Sequence, residues 1–398
     1  MCRPFCHNEK ENWLIITYWN IDERGAGQKK YVKILHLLYE SRGDTFGIGG
    51  VGMRAYEIYK HLSSKHDITL LCKKYPGAQD GDIAGLKHMF VGTESDNLTR
   101  TLLSYATHAA QFVRRHGQEF DVIIEEFSPA IPTFLHLWTK RPLVLQIQGY
   151  TGGLYFRKYN FLYAAILYGL EKIRPRYYRN IIFISDHTAR RCIFGKQPRY
   201  VVIPNGVSEE LLNLSPGEGD YILYLGRVDI YGKGLDLLLG AYREFVRSFP
   251  RIRLVIAGDG RDMARLKVLI RQLPPLVKKN IDLPGWVSGD EKGRILQNAI
   301  FCVFPSRHEV QPIAILEAMA SGKPVLASDI PEFTFVTESG AGASFKNGDA
   351  VSLADTMEKM ALDVMRKEMG KRAREFVKDQ TWDRIAMVYE KFLLRVAG

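Results

Sequence analysis

In the stretch "PSRHEVQPIAILEAMASGKPVLASD", two carboxylates stand eight residues apart, Glu309 and Glu317. Glu309 falls in a loop after an apolar run, whereas Glu317 sits about one turn into a helix that Pro312 opens and Gly322 closes. The first N–H groups of that helix, at Ile313, Ala314 and Ile315, have no partner inside it and would point at an anion. Taken alone, the pair is equally well read as a capping glutamate and a salt-bridged helix glutamate. A second loop changes the balance. In "YLGRVDIYGKGLDLLL" a strand ends at Gly226 and is followed by Arg227, then by Lys233 and Gly234 ahead of a helix. An arginine fork and a lysine point charge at a helix N-terminus make a site suited to a diphosphate.

A third loop brings glycines. "FGIGGVGMRAYEIYKHLSSKHDITLLC" holds Gly47, Gly49 and Gly52 in the spacing G-x-G-x-x-G, a dinucleotide-binding fingerprint when it directly follows a strand. Here eight residues, Tyr39 to Phe46, separate the apolar run Val32 to Leu38 from the first glycine. The next strand, Asp67 to Cys72, ends in Lys73 and Lys74, where a carboxylate for a ribose hydroxyl would be expected. The glycines therefore read as a loop that lets backbone approach a ligand, not as a nicotinamide site.

These loops need elements to hold them. In the first half, strands are expected at Val32 to Leu38, Asp67 to Cys72, Asp121 to Glu126, Pro142 to Gln148, Asn180 to Ser185 and Tyr200 to Pro204. Helices are expected at Gly52 to Ser63, Leu98 to His116 and Phe161 to Ile173. After the turn residues Pro204 to Val207 the alternation restarts, with strands at Tyr221 to Gly226, Arg253 to Gly258, before "GWVS", at Ile300 to Pro305 and at Pro324 to Asp329. Helices at Leu235 to Phe249, Met263 to Leu273, Asp290 to Asn298 and Ile313 to Ser321 lie between them. Short strands alternating with helices imply an α/β protein with two doubly wound, Rossmann-like parallel sheets facing each other across a cleft. The expected division is an extension over 1–30, a first domain over 31–203 and a second over 208–381. A terminal helix near 382–398 is expected to pack back on the first domain. Ligands of such sheets bind where strands end, which is where all three loops fall.

Together these residues resemble the family 4 glycosyltransferases of the GT-B fold. "IPNGV", "GRVDIYGKG", "AGDG", "PGWVS" and "PSRHEVQPIAILEAMASGKPV" stand in that family's order and spacing, and Glu309-x7-Glu317 is its signature. The resemblance implies a retaining, metal-independent hexosyltransferase that moves a sugar from a nucleotide diphosphate sugar to a glycan, lipid-linked or small-molecule acceptor, with no cofactor. On that reading Arg227 and Lys233 hold the departing diphosphate and Glu309 contacts the donor-sugar hydroxyls. Glu317 takes the ribose, Trp286 and Val287 neighbour the base, and Gly258 lines the donor side with Ile313, Ala314 and Ile315. Gly49 and Gly50 correspond to the glycine loop that reaches the phosphates from the first domain. The chain has Val310 and Pro312 where many members have glycine, and Gln148 where many have histidine. Gln148 can hydrogen-bond an acceptor hydroxyl but cannot act as an acid or base. Two other readings share the cleft: a nucleotide-sugar-binding protein without turnover, and an epimerase of the same fold.

Bulk properties narrow the partners. With 398 residues, 46% apolar and 25% charged, the chain is globular and long enough for two cores. Five scattered cysteines suit a reducing compartment, the cytoplasm, and Cys2, Cys6 and His7 read as incidental, without a fourth metal ligand nearby. The formal charge of +11 is partly local: residues 157–199 carry ten basic residues against Glu171 and Asp186, interleaved with tyrosines and phenylalanines. That mixture suits an anionic membrane surface, at the inner face of the membrane, or an anionic acceptor. A solvated basic face is the plain alternative, and no nucleic-acid-binding motif accompanies it.

Overall fold

The computed structural model describes residues 30–41, 43, 49–95, 97–192 and 198–398. The expected extension up to residue 29, Cys2, Cys6, His7, Gly47 and Lys196 lie outside the described residues.

Near-continuous apolar runs such as "KILHLL" need both faces covered, which a parallel sheet between helices provides. The first sheet takes β1 (Lys33–Leu38), β2 (Asp67–Lys73), β3 (Gly81–Ile83), β4 (Leu86–Val91), β5 (Val122–Glu126), β6 (Leu143–Ile147), β7 (Asn180–Phe183) and β8 (Arg199–Val202) in the order β3-β4-β2-β1-β5-β6-β7-β8. All neighbours are parallel except β3 and β4. The second sheet takes β9 (Tyr221–Leu225), β10 (Arg253–Ala257), β11 (Ile281–Gly285), β12 (Ala299–Phe304), β13 (Val325–Ser328) and β14 (Gly342–Phe345) in the order β11-β10-β9-β12-β13-β14, all parallel.

Both orders reverse direction at one point, between β1 and β5 in the first sheet and between β9 and β12 in the second. At such a reversal the connections leave in opposite directions and open a crevice at the strands' carboxyl ends. Tyr39, Glu40 and Phe127 follow β1 and β5 there, and Gly226, Arg227 and Pro305 follow β9 and β12.

The expected strands and helices are present, with ends shifted by one or two residues, as fraying termini allow. The β3–β4 hairpin was not expected. Its turn places Ala84 at φ 57° and Gly85 at φ 76°, the two positive values of a type I′ turn, and alanine in the first position hides the usual Asn-Gly signal.

The helix Trp382–Ala397 crosses back and buries Ile385, Tyr389, Phe392 and Leu393 in the first domain's core with Val32, Tyr59 and Leu62. The Tyr59 and Tyr389 rings meet edge to face at 6.2 Å. In the second domain, Leu238, Tyr242 and Phe245 of the helix Leu235–Ser248 pack on Leu254 and Ile256, while Met319 and Leu316 cover the opposite face beside Leu223 and Val325.

Candidate functional site

Arg227 leaves the end of β9 and reaches toward the first domain, where its Nη2 lies 3.9 Å from Glu40 Oε1. Glu40 follows β1, and its Oε2 accepts the backbone N–H groups of Gly49 (2.9 Å) and Gly52 (3.1 Å) at the start of the helix Gly50–Leu62. A Cβ on Gly49 would stand 2.1 Å from Arg227 Nη2 and 2.7 Å from Glu40 Oε1, so only glycine lets the loop close on the guanidinium. Gly50 faces open space. Burial, more than the Gly52 and Gly49 N–H groups and the Arg227 charge can offset, holds the Glu40 carboxyl above the ordinary carboxylate range.

Lys233 pairs with Glu309, whose Oε1 also accepts the Ser306 hydroxyl at 3.0 Å. Gly234, at φ 69°, caps the helix Leu235–Ser248, and a Cβ there would strike the Pro305 carbonyl at 1.9 Å, which ties this loop to the one carrying Glu309. Gly258, at φ 142°, performs the same service beside it, since its Cβ would fall 1.8 Å from the Gly226 carbonyl oxygen. Glu317, on the helix Ile313–Ala320, receives Lys292 Nζ at 2.5 Å. Val287 is buried and Trp286 is 55% exposed just beyond β11, so its indole is open to a ligand.

One expectation needs correction. The Ile315 N–H donates to the Pro312 carbonyl at 3.3 Å, so among the described residues only Ile313 and Ala314 keep first-turn N–H groups without a backbone acceptor. A tight first turn uses up the third donor.

The two domains are joined by a polar bridge that sequence reading missed. Arg54, fully buried, donates to the carbonyls of Pro204 (2.6 Å) and Ile203 (2.8 Å) and to Asn205 Oδ1 (2.9 Å). Asn205 in turn donates through its backbone N–H to Gln311 Oε1 (2.6 Å) and through Nδ2 to the Gln311 carbonyl (2.7 Å). The glycine-loop helix, the "IPNGV" turn and the loop after Glu309 thus form one chain of contacts. Burial pulls the Arg54 guanidinium down to about 10, still charged at neutral pH.

On the first domain's side, Gln148 Nε2 lies 3.0 Å from both oxygens of Glu126, which also accepts from Gln146 Nε2 (2.5 Å) and lies 3.2 Å from His36 Nε2. An amide facing two carboxylate oxygens must present its NH₂, so the Gln148 carbonyl oxygen is turned away from Glu126 and can accept a hydroxyl. Glu40 and Glu126 each stand at or just after a strand end beside the reversal of sheet order, which only the fold reveals.

The basic region divides between core and surface. Arg174 is buried and bonds Glu125 at 2.6 Å and the carbonyls of Ser128 and Ile131, so it belongs to the core and not to the charged surface. Around the helix Phe161–Ile173, however, Phe161 is 78% and Leu162 72% exposed, beside the basic Arg157 and Lys158. Among the described residues no helix is long and apolar enough to cross a membrane, and no three His, Cys, Asp or Glu side chains are grouped to hold a metal ion.

Known proteins resemble this chain in sequence and in fold. Residues 48–211 match the model of Glycosyltransferase Family 4, and residues 213–376 match that of Glycosyl transferases group 1. The chain is 32% identical over 214 residues to the phosphatidyl-myo-inositol mannosyltransferase of Mycobacterium leprae, covering 52% of this chain and 56% of that one. It is 33% identical over 169 residues to the GDP-mannose:cellobiosyl-diphosphopolyprenol alpha-mannosyltransferase of Xanthomonas campestris, covering 41% and 44%. These matches span less than two thirds of either relative. Among solved structures, the sucrose-phosphate synthase of Thermosynechococcus elongatus superposes with a TM-score of 0.73 at 18% identity, over 91% of this chain and 98% of that one. Anabaena Alr3699/HepE in complex with UDP and glucose superposes with a TM-score of 0.69 at 17% identity, over 90% and 98%. At these identities the structures speak for the fold alone.

Proposed function

The chain belongs to the family 4 glycosyltransferases of the GT-B fold, and from that premise we propose that it is a retaining hexosyltransferase using a nucleotide diphosphate sugar and a lipid-linked acceptor. The observation that carries the reading is the meeting of Arg227 with the Gly49 loop across the crevice, next to the Lys233–Glu309 pair.

On this reading the bond from the sugar C1 to the diphosphate oxygen breaks, and its electron pair leaves with the diphosphate. Arg227 and Lys233 face the charge that accumulates there, helped by the N–H groups of Ile313 and Ala314. Fixed cations and dipoles aimed at a leaving group lower the barrier because they need no reorganisation as charge develops. Glu309, its charge balanced by Lys233, accepts sugar hydroxyls and leans toward the oxocarbenium character at C1. Glu317 accepts the ribose hydroxyls, and Trp286 offers a face to the base. The acceptor hydroxyl oxygen bonds to C1 from the side the diphosphate leaves, and its proton passes to the departing diphosphate oxygen, with the Gln148 carbonyl oxygen orienting the hydroxyl as a hydrogen-bond acceptor.

Support for a lipid-linked acceptor comes from the exposed Phe161 and Leu162 beside basic residues, a surface fit for anionic lipid. The names of the Mycobacterium and Xanthomonas relatives, which specify phosphatidyl-myo-inositol and a diphosphopolyprenol, point the same way.

The test is product analysis. The chain is incubated with UDP-, GDP- and ADP-sugars and a polyprenyl diphosphate sugar, and the new linkage is read by proton NMR. One donor is expected to yield a product with the donor's own anomeric configuration. An inverted product would overturn retention, and a changed sugar nucleotide without acceptor would make the chain an epimerase.

A further inference from the structure

The cleft lies at the carboxyl ends of β9 and β12. At the opposite end of the same sheet, where β12 and β13 begin, there is a second cavity of about 450 Å³. Its wall holds Lys323, Arg366, Lys367, Lys371 and Arg374 against one carboxylate, Glu218. Arg366 takes that carboxylate, with Nη2 2.6 Å from Glu218 Oε1.

Two further cations of the wall, Lys323 buried and Arg374 half-buried, have neutral partners. Lys323 is 2% exposed, and its ammonium donates to the carbonyls of Gly217 (2.6 Å) and Ala299 (2.8 Å). Arg374 donates through Nε to the Ala320 carbonyl (3.0 Å) and through Nη2 to the Leu214 carbonyl (2.6 Å). Among the described residues neither has a carboxylate within ion-pair distance. Carbonyls satisfy N–H groups but leave a full positive charge, and holding such a charge out of water is costly without a counter-charge. Burial lowers the pKa of both groups, the direction expected of cations that lack one. At the mouth, Lys367 and Lys371 stand one turn apart on the helix Arg366–Val377, both exposed, the second loosely facing Glu368 at 3.7 Å. The rest of the wall is apolar, with Pro216, Ile300 and Pro324.

We infer that this cavity binds a small organic phosphate, its phosphate among Lys323, Lys367, Lys371 and Arg374 and its carbon skeleton against Pro216, Ile300 and Pro324. A phosphate dianion supplies the charge the cluster lacks, and its oxygens match guanidinium and ammonium donors. The volume falls in the range of small-molecule sites. The site is separate from the donor cleft and does not depend on which reaction occurs there.

Calorimetric titration of the full chain with phenyl phosphate tests this, because that probe has a phosphate and an apolar body but no sugar or nucleoside. The variants are Lys367→Glu/Lys371→Glu, Arg227→Ala in the cleft, and Arg243→Glu/Arg247→Glu, an equal charge reversal on the exposed face of the helix Leu235–Ser248. Saturable binding is expected in the wild type, unchanged within about twofold in Arg227→Ala and in the matched reversal, and at least about tenfold weaker in Lys367→Glu/Lys371→Glu. Absence of saturable binding, its loss in Arg227→Ala, or an equal loss in both reversals would overturn the assignment. Inorganic phosphate is expected to bind more weakly than phenyl phosphate, and equal affinity would remove the role given to the apolar wall.

Discussion

Gly49→Ala is the most informative single change. Gly49 has φ −103° and ψ −167°, a conformation alanine adopts freely, so backbone strain plays no part. What matters is space: the added Cβ would sit 2.1 Å from Arg227 Nη2 and 2.7 and 2.8 Å from the Glu40 oxygens. Ordinary heavy-atom contacts begin near about 3.5 Å, so the guanidinium must withdraw by more than roughly 1 Å. Arg227 is half-exposed and can swing toward solvent, but the largely buried Glu40 carboxylate must also shift against the Gly49 and Gly52 N–H groups it accepts, so a loss of stability of about 1 kcal/mol is expected. Catalysis should suffer far more. If Arg227 holds the leaving diphosphate, misplacing it removes about 3 kcal/mol of transition-state stabilisation, or roughly a hundredfold in kcat/KM. Gly50→Ala, whose Cβ meets nothing within 4 Å, leaves Arg227 where it is and should fold as the wild type does. Steady-state turnover and thermal melts of both variants give the answer. Near wild-type activity in Gly49→Ala, within about threefold, would refute the placement of the glycine loop at the phosphates.

Other changes probe separate contacts. Glu317→Ala removes the carboxylate assigned to the ribose and is expected to weaken nucleotide binding by roughly 1.5–3 kcal/mol in calorimetry, while kcat at saturation changes little. Arg54→Met strips three hydrogen bonds from the domain bridge and should lower stability by about 3 kcal/mol in urea unfolding, with an unchanged result speaking against the bridge. Because Glu40 has a raised pKa in the folded chain, its protonated form is favoured there. Its contribution to stability is therefore fully present below the unfolded carboxylate pKa and lost as pH rises through the folded value. In melts across that window, Glu40→Gln should lack this part of the decline, and parallel curves would contradict the shift. Phe161→Ser/Leu162→Ser should reduce sedimentation with anionic vesicles at low salt, and equal sedimentation of the wild type with neutral and anionic vesicles would sink the membrane surface.

The loops of the second domain's candidate site are legible in the sequence because their residues are close in the chain and bounded by strong punctuation: Arg227, Lys233 and Gly234 follow one strand, and Glu309, Pro312 and Glu317 follow another. The parallel sheets were legible from apolar runs of strand length alternating with helical periods. What escaped was long-range. Arg54 looks like a surface cation on an amphipathic helix, and only the fold brings it to Asn205, 151 positions away. Glu40 and Glu126 are isolated acids until strand order puts them at the reversal. Arg174 was counted with the basic surface because nothing local shows that it meets Glu125.

The central claim is that Arg227 holds a nucleoside diphosphate beside the Gly49 loop, and calorimetric titration of UDP, GDP, ADP and NAD into the wild type and Arg227→Ala, without added metal, tests it most directly. One nucleoside diphosphate is expected to bind the wild type and to bind Arg227→Ala at least about tenfold more weakly. Selective binding of NAD, with equal affinity in both proteins, would contradict it.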